Sequence, residues 1–375
     1  MSDLYEFYVT AAPGTEEVLR DELCDLGFRS ARLNSGGIPF RGREEDGWKA
    51  CLHSRIGQRV MMVLGRFSAR SLDELYYNAE QLPWEKFLTP AQTIGCAAFA
   101  HPSCGENPDF VAVRLKDAIV DHQRRVFHGE RSDVSRTDPD LRAFVYWGRD
   151  KATVYLDLSG DPLFKRGYRV SGGEAPLKET LAAAILRMTD WDGVAPLMDP
   201  MCGSGTLLLE GALWAANIAP GIFRQRFGFE RWANFGKVQA DMLRDMRGDA
   251  RRNATGQLPK IIGCDLDPRA LEVAAENARS AGLAGKLSLR PIRLRDLQTD
   301  GQRRMVVVNP PYGVRLDVPD QLFQEFGNAV ARMKNCRVAV LAGSPKCIRC
   351  IPLRPVERYP LMNGGIECQL TIYEV

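Results

Sequence analysis

Apolar and polar positions alternate over residues 4–10 as in a strand, and Pro13 opens an amphipathic helix in which Val18, Leu19 and Leu23 recur at helical spacing before Gly27 ends it. A strand over 38–40, a helix over 48–52 and an apolar run over 60–64 complete a small α/β module, residues 1–65, near the lower size limit for independent folding. A second module, 66–160, starts at Ser71, where Ser71 and Glu74 have capping-box spacing, and its first helix should stop near Pro83. A strand over 93–100, a helix over 109–127 and a hairpin pairing 141–147 with 153–158 around Gly148, Arg149 and Asp150 follow.

Residues 161–190 read as a linker with a leading helix. From Pro176 onward short apolar runs at 196–198, 261–264, 287–289, 305–308 and 338–341 alternate with helical segments. Continuous apolar strands separated by helices predict a largely parallel, doubly wound sheet covered on both faces, filling a domain over 191–375. After Asn363, Gly364 and Gly365 the alternation over 367–374 predicts an antiparallel arm at the sheet edge.

The chain has 375 residues, 45% hydrophobic and 26% charged, which is ordinary globular composition for two or three domains. It opens without a basic stretch and apolar run, and it has no apolar segment of spanning length, so neither secretion nor membrane insertion is expected and a cytoplasmic location is. Ten scattered Cys, with Cys347 and Cys350 as one close pair, predict reduced thiols and no metal site. A net charge of +3 does not by itself indicate a nucleic acid partner.

Three strand ends carry candidate chemistry. Asp199, Gly203, Ser204, Gly205 and Thr206 lie where a strand gives way to the helix over 207–216, so two glycines let backbone N–H groups approach a ligand. A P-loop would need a following Lys and a dinucleotide fingerprint a third glycine; both are missing, and Asp199 suits a ligand with a cationic amine. Asp265 follows the next strand and can accept from vicinal ribose hydroxyls, Asp267 is the better helix cap, and Asp296 can accept from an adenine amino group. Each alone is equally readable as a turn or cap residue.

Asn309, Pro310, Pro311 and Tyr312 follow a strongly apolar strand and form a stiff turn rich in acceptors. The exocyclic amino nitrogen of a base attacks poorly because its lone pair is delocalised into the ring. The Asn309 amide oxygen and the Pro310 carbonyl can accept its two N–H bonds and aim the nitrogen at an activated methyl, while Tyr312 stacks on the base.

Cations cluster in three further places. Arg114, Lys116, Arg124 and Arg125 lie within one predicted helix, and Lys165, Arg166 and Arg169 surround Tyr168 in the linker. An insertion over 220–260 bears Phe223, Arg224, Arg226, Phe227, Arg231 and Trp232, and is expected to border an RNA channel.

The segments 8–14, 114–120, 165–169, 175–181, 199–206, 227–232, 309–313 and 363–365 together resemble the THUMP-domain class I methyltransferases, most closely the bacterial guanine-N2 enzymes of large-subunit ribosomal RNA. The resemblance covers nearly the whole chain. It implies a ferredoxin-like piece, a THUMP module for RNA and a Rossmann-like methyltransferase using S-adenosylmethionine. By motif position, Asp199, Gly203, Ser204, Gly205, Thr206, Asp265 and Asp296 would hold the cofactor, and residues 309–312 the target base, with Asn309 counted in both sets. Longer members carry a second methyltransferase half, so only one activity is expected here. Transfer RNA is the alternative target, since an Asn-Pro-Pro-Tyr turn alone selects neither the base nor the RNA. A catalytically inactive RNA-binding protein is the alternative from another class, and Asn309 and Tyr312 count against it.

Overall fold

Strand pairing divides the chain between two seven-stranded sheets. The computed structural model describes residues 4–170, 177–297, 301–311 and 320–375. The first sheet begins with β1 (Tyr5–Thr10), α1 (Glu16–Asp25), β2 (Gly37–Gly42), α2 (Glu44–His53) and β3 (Arg59–Ser68). It continues with α3 (Leu72–Glu80), β4 (Thr93–Ala100), α4 (Pro108–Val126), β5 (Asp133–Val134), β6 (Leu141–Trp147) and β7 (Lys151–Asp157), in the order β2-β1-β3-β7-β6-β4-β5.

Two local expectations change here. The first helix starts at Glu16 rather than Pro13, because residues 12–15 form a turn closed by the Thr15 N–H on the Ala12 carbonyl. Ser71 does cap α3 by accepting from the Glu74 N–H at 3.2 Å, but the Glu74 carboxylate accepts from Arg70, not Ser71.

Strand β3 pairs with β1 through its first half and with β7 along most of its length, with a bulge between Val63 and Gly65. The two N-terminal modules therefore share one sheet. They also share one core, in which Phe7, Trp48 and Val60 belong to the same cluster as Trp84, Leu115 and Val145. The first module is too small to bury enough apolar surface alone, and the second completes it.

The second sheet follows α5 (Glu179–Met188) and contains β8 (Leu197–Asp199), α6 (Thr206–Ala215), α7 (Lys237–Arg252), β9 (Ile261–Asp265), α8 (Pro268–Ser280) and β10 (Leu287–Pro291). Then come β11 (Arg304–Val308), α9 (Asp320–Arg332), β12 (Cys336–Ala342), α10 (Pro345–Arg349), β13 (Glu357–Asn363) and β14 (Ile366–Glu374). Its order is β10-β9-β8-β11-β12-β14-β13. Strands β10, β9, β8, β11 and β12 are parallel, and alternate residues enter different cores. Met305 and Val307 join one cluster with α5, α6 and α8, whereas Val306 and Val308 join another with Phe323 and Phe326 of α9. Burial on both faces explains the apolar runs in β8, β9, β11 and β12, whereas the edge strand β10 is half exposed.

The predicted edge arm is a correction. Strand β14 lies between β12 and β13, antiparallel to both, and the edge is β13, whose Pro360 and charged residues gave no clean strand signal. The insertion over 220–260 is corrected in part: its Phe227, Phe229, Trp232, Leu243 and Ala250 are buried in the N-terminal core. Trp48 stacks on Phe229 at 5.3 Å, and Gly160 and Gly228 approach so closely that a Cβ on Gly228 would sit 2.7 Å from the Gly160 nitrogen. These aromatics join the two halves of the molecule and are not free for a ligand. No helix among the described residues is long and apolar enough to cross a membrane.

Candidate active site

The parallel strands β10, β9, β8 and β11 are neighbours and release their following loops at the same carboxyl edge, with the strand order reversing between β8 and β11. Asp199 ends β8, is buried, and accepts from the Met201 N–H at 3.0 Å. Burial, with a further contribution from nearby Asp265, pushes its carboxyl up to about 8. A cationic ligand group would relieve that penalty.

Gly203 has φ +51°, and a Cβ added to it would meet nothing within 4 Å, so the loop is open above it, whereas Gly205 at φ +80° packs close to Ala274 of α8. Asp265 ties the loop down, accepting from the Gly203 N–H at 2.8 Å with one oxygen and from the Asp267 N–H at 3.0 Å with the other. Each oxygen keeps a lone pair for a ligand hydroxyl. Asp267 caps α8 as expected, accepting from Arg269. Ser204 lies within 3.4 Å of Thr206, the first residue of α6, and Asp296 is exposed in a short turn after β10.

Two residues at this edge escaped the sequence reading. Leu266, beside Asp265, is 68% exposed and leaves an apolar surface open next to that carboxylate. Asn277 of α8 is buried; its amide donates to the Ser204 carbonyl at 3.2 Å and accepts from the Val170 N–H at 2.9 Å, fastening the loop to the linker. A polar side chain among the apolar positions Leu271, Ala274 and Ala278 is the signal that could have identified it, since buried amides are paired.

Strand β11, paired to β8 and β12, delivers Asn309, Pro310 and Pro311 to the same edge. The Asn309 Oδ1 atom is buried and has no hydrogen-bond partner among the described residues. Such an acceptor costs on the order of 1–3 kcal/mol if left unpaired, which is expected of a group meant for a ligand donor. Tyr312 lies outside the described residues.

A cleft of about 980 Å³ opens between the first sheet, the linker and the insertion, and Lys165, Arg166, Arg169, Arg224, Arg226 and Arg231 all line it. Their roles differ. Lys165 and Arg226 are largely exposed, with loose surface pairs to Asp161 and Asp138. Arg231 is mostly covered and held by Asp138 and Asp140. Arg224 donates to the carbonyls of Ser159, Asp161, Pro162 and Lys165, and Arg166 is only 2% exposed, so both are corrections to the expected RNA contacts.

Arg166 instead binds Glu210 of α6 at 3.3 Å, the carbonyls of Ser54 and Arg55 from the N-terminal half, and Leu163 from the linker. Tyr168 adds a hydrogen bond to Glu210 at 2.8 Å. Arg169 reaches Glu179 at 2.7 Å and Thr206 at 3.0 Å. The segment 165–169 is thus a clasp between the N-terminal half and the helix behind the glycine loop. Arg114 and Lys116 are remote from it: α4 packs on the covered face of the first sheet, where Arg114 pairs with Asp73 and lies over the Tyr76 ring, and Lys116 contacts Asp117.

Family comparison agrees with this architecture. Residues 166–372 match the RMKL-like methyltransferase domain, residues 6–61 the RlmL ferredoxin-like domain and residues 69–157 the THUMP domain. A relative from Aeromonas salmonicida, the ribosomal RNA large subunit methyltransferase K/L, is 38% identical over 99% of this chain and 54% of its own. This chain therefore spans about half the length of the curated relatives it matches. The crystal structure of SMU.472 complexed with SAH superposes with a TM-score of 0.88 at 32% identity, covering 100% of this chain and 99% of that one. A predicted N6-adenine-specific DNA methylase from Listeria monocytogenes has the same TM-score and identity, over 99% and 96% of the two chains. With a doubly wound sheet, an open glycine loop at its switch point and these matches along its length, the chain belongs to the RMKL-like methyltransferase family.

Proposed function

We propose that this protein transfers a methyl group from S-adenosylmethionine to the exocyclic N2 amino group of a guanine in 23S ribosomal RNA. The single observation that carries the reading is the buried, unpartnered Asn309 amide oxygen at the carboxyl edge, beside the loop that ends at Thr206. Bound there, the cofactor would supply an electrophilic methyl on a sulfonium centre. Asp199 would hold its amino group, Asp265 its ribose and Asp296 the adenine amino group, while Leu266 covers the adenine face.

Asn309 Oδ1 and the Pro310 carbonyl accept the two N–H bonds of the target amine. This fixes the direction of the nitrogen lone pair and stabilises positive charge as it develops on nitrogen. The buried site keeps competing water donors away from Asn309. A guanine within a helix must first be turned out of the stack, at roughly a few kcal/mol.

The test is transfer of labelled methyl to total RNA from a strain lacking the protein, followed by nucleoside identification. N2-methylguanosine in large ribosomal RNA is expected. Label confined to transfer RNA would replace the substrate, labelled adenine would replace the base, and no transfer to any nucleic acid would overturn the reading.

A further inference from the structure

The first sheet carries its helices on one face, and the other face, covered around Met61 and Asp157, is open along β4 and β6. Leu141, Ala143, Val145 and Trp147 of β6 enter the core under helices α1–α4, whereas Arg142, Phe144 and Tyr146 alternate onto the opposite face. The same alternation puts Tyr8, Tyr155, Phe99, Arg66 and Lys151 there, and none of these belongs to an apolar core among the described residues.

The rings form a row. Tyr8 and Tyr155 have centroids 6.1 Å apart and Tyr155 and Phe144 6.4 Å, and Phe99 lies beside Tyr146 at 5.1 Å with planes inclined by 7°. Phe99 and Tyr146 are 43% and 44% exposed, so a stacked aromatic pair stands open to solvent. Apolar rings left open on a sheet cost solvation and suit a partner with flat faces.

Charge narrows the partner. Glu6 is neutralised by Arg66 at 2.6 Å and the buried Asp157 by Arg59, leaving Arg142 and Lys151 beside the rings. Arg142 also lines the cleft that holds Lys165, Arg226 and Arg169, and Arg169 touches Thr206 at the cofactor loop. From Tyr146 to Arg142 is about 13 Å along the strand. The open face therefore continues into the cleft, and Arg169 in the cleft wall touches the first residue after the glycine loop.

We propose that the open face of the first sheet, through Phe99, Tyr146, Phe144 and Tyr155, is a stacking platform for a single-stranded stretch of RNA that then enters the basic cleft. The inference rests on the RNA reading above and adds where, and in what form, the substrate is held. Base stacking on aromatic rings tolerates any sequence and needs unpaired bases, so the platform discriminates strandedness rather than sequence. It would hold the strand flanking a guanine that has been freed from its helix.

The experiment uses the full chain and a fluorescein-labelled 12-nucleotide RNA of mixed sequence, single-stranded or annealed to its complement. Fluorescence anisotropy is expected to show tighter binding of the single strand. The double variant Phe99→Ala/Tyr146→Ala should weaken single-strand binding by on the order of tenfold or more and leave duplex binding and SAH affinity unchanged. Phe99→Leu/Tyr146→Leu, which keeps apolar bulk without ring faces, should lose as much, and Tyr146→Phe should bind like the parent.

Equal single-strand binding by parent and leucine variant would overturn the platform. So would an equal loss for duplex, or a parent that sediments as a dimer which Phe99→Ala/Tyr146→Ala disperses, because the face would then cover a second copy. A parent that methylates RNA while these variants bind normally removes the platform alone. A parent with no affinity for RNA of either form removes the underlying functional reading as well.

Discussion

The two sheets of this molecule have the same number of strands and opposite uses of their surfaces. The second, with parallel β8, β9, β11 and β12 buried on both faces, presents its ligand-facing groups at the carboxyl edge where loops emerge. The first, mostly antiparallel, has helices on one face and aromatic and basic side chains on the other. Chemistry needs a few groups held rigidly at one point, which strand ends provide. Gripping a long flexible polymer needs area, which an uncovered sheet provides.

The contrast depends on the clasp that holds the halves together, and removing it should have the largest effect. Arg166→Ala leaves Glu210 buried without its cation, which should cost about 3–5 kcal/mol of stability by urea denaturation. Arg166→Met/Glu210→Leu should recover most of that loss. A loss below about 1 kcal/mol for the single variant would show that the halves need no such joint.

Next in size, Asn309→Ala should slow single-turnover methyl transfer by roughly 10²–10³-fold while calorimetry shows SAH binding retained, the ratio typical of losing one charge-stabilising contact. Unchanged turnover would move the chemistry away from the edge of β11. A smaller effect is expected in the cleft: Lys165→Ala and Arg226→Ala should each lower the salt dependence of RNA binding by about one unit of log–log slope. Arg114→Ala and Lys116→Ala, on the covered face, should leave it unchanged.

The smallest effect concerns Asp199, whose carboxyl stands near 8 instead of the ordinary 3.8 because burial disfavours its charge. A raised carboxyl stabilises the ligand-free fold fully below the ordinary value and loses that contribution as pH rises through the folded one. Melting temperature should therefore fall from pH 5 to pH 9 more steeply in the parent than in Asp199→Asn, by a few degrees. Parallel curves would place Asp199 in solvent. Below pH 8 the binding of a cationic ligand should release a proton, which calorimetry in two buffers measures.

Much of the catalytic half was legible because its signals are local. An apolar run followed by Asp199, Asp265 or Asn309 reads as a strand end carrying an acceptor, and parallel burial makes those runs continuous. Strand β13 was missed because a half-exposed edge strand carrying Glu357, Arg358 and Pro360 has neither alternation nor apolarity to mark it. Helix α7 was missed because its strongly polar stretch, with only Leu243 and Ala250 buried, resembles a charged loop.

The basic residues show the limit most clearly. Lys165, Arg166, Arg224 and Arg226 are indistinguishable as cations in a sequence, yet two are exposed and two are enclosed. The sequence by itself determined which residue types stand at which strand ends, because strand and turn preferences act over a few neighbours. Only the tertiary structure decided which cations are free and which are spent on Glu210 or on backbone carbonyls, because those acceptors come from segments tens of residues away and meet the guanidinium groups only when the two sheets are brought together.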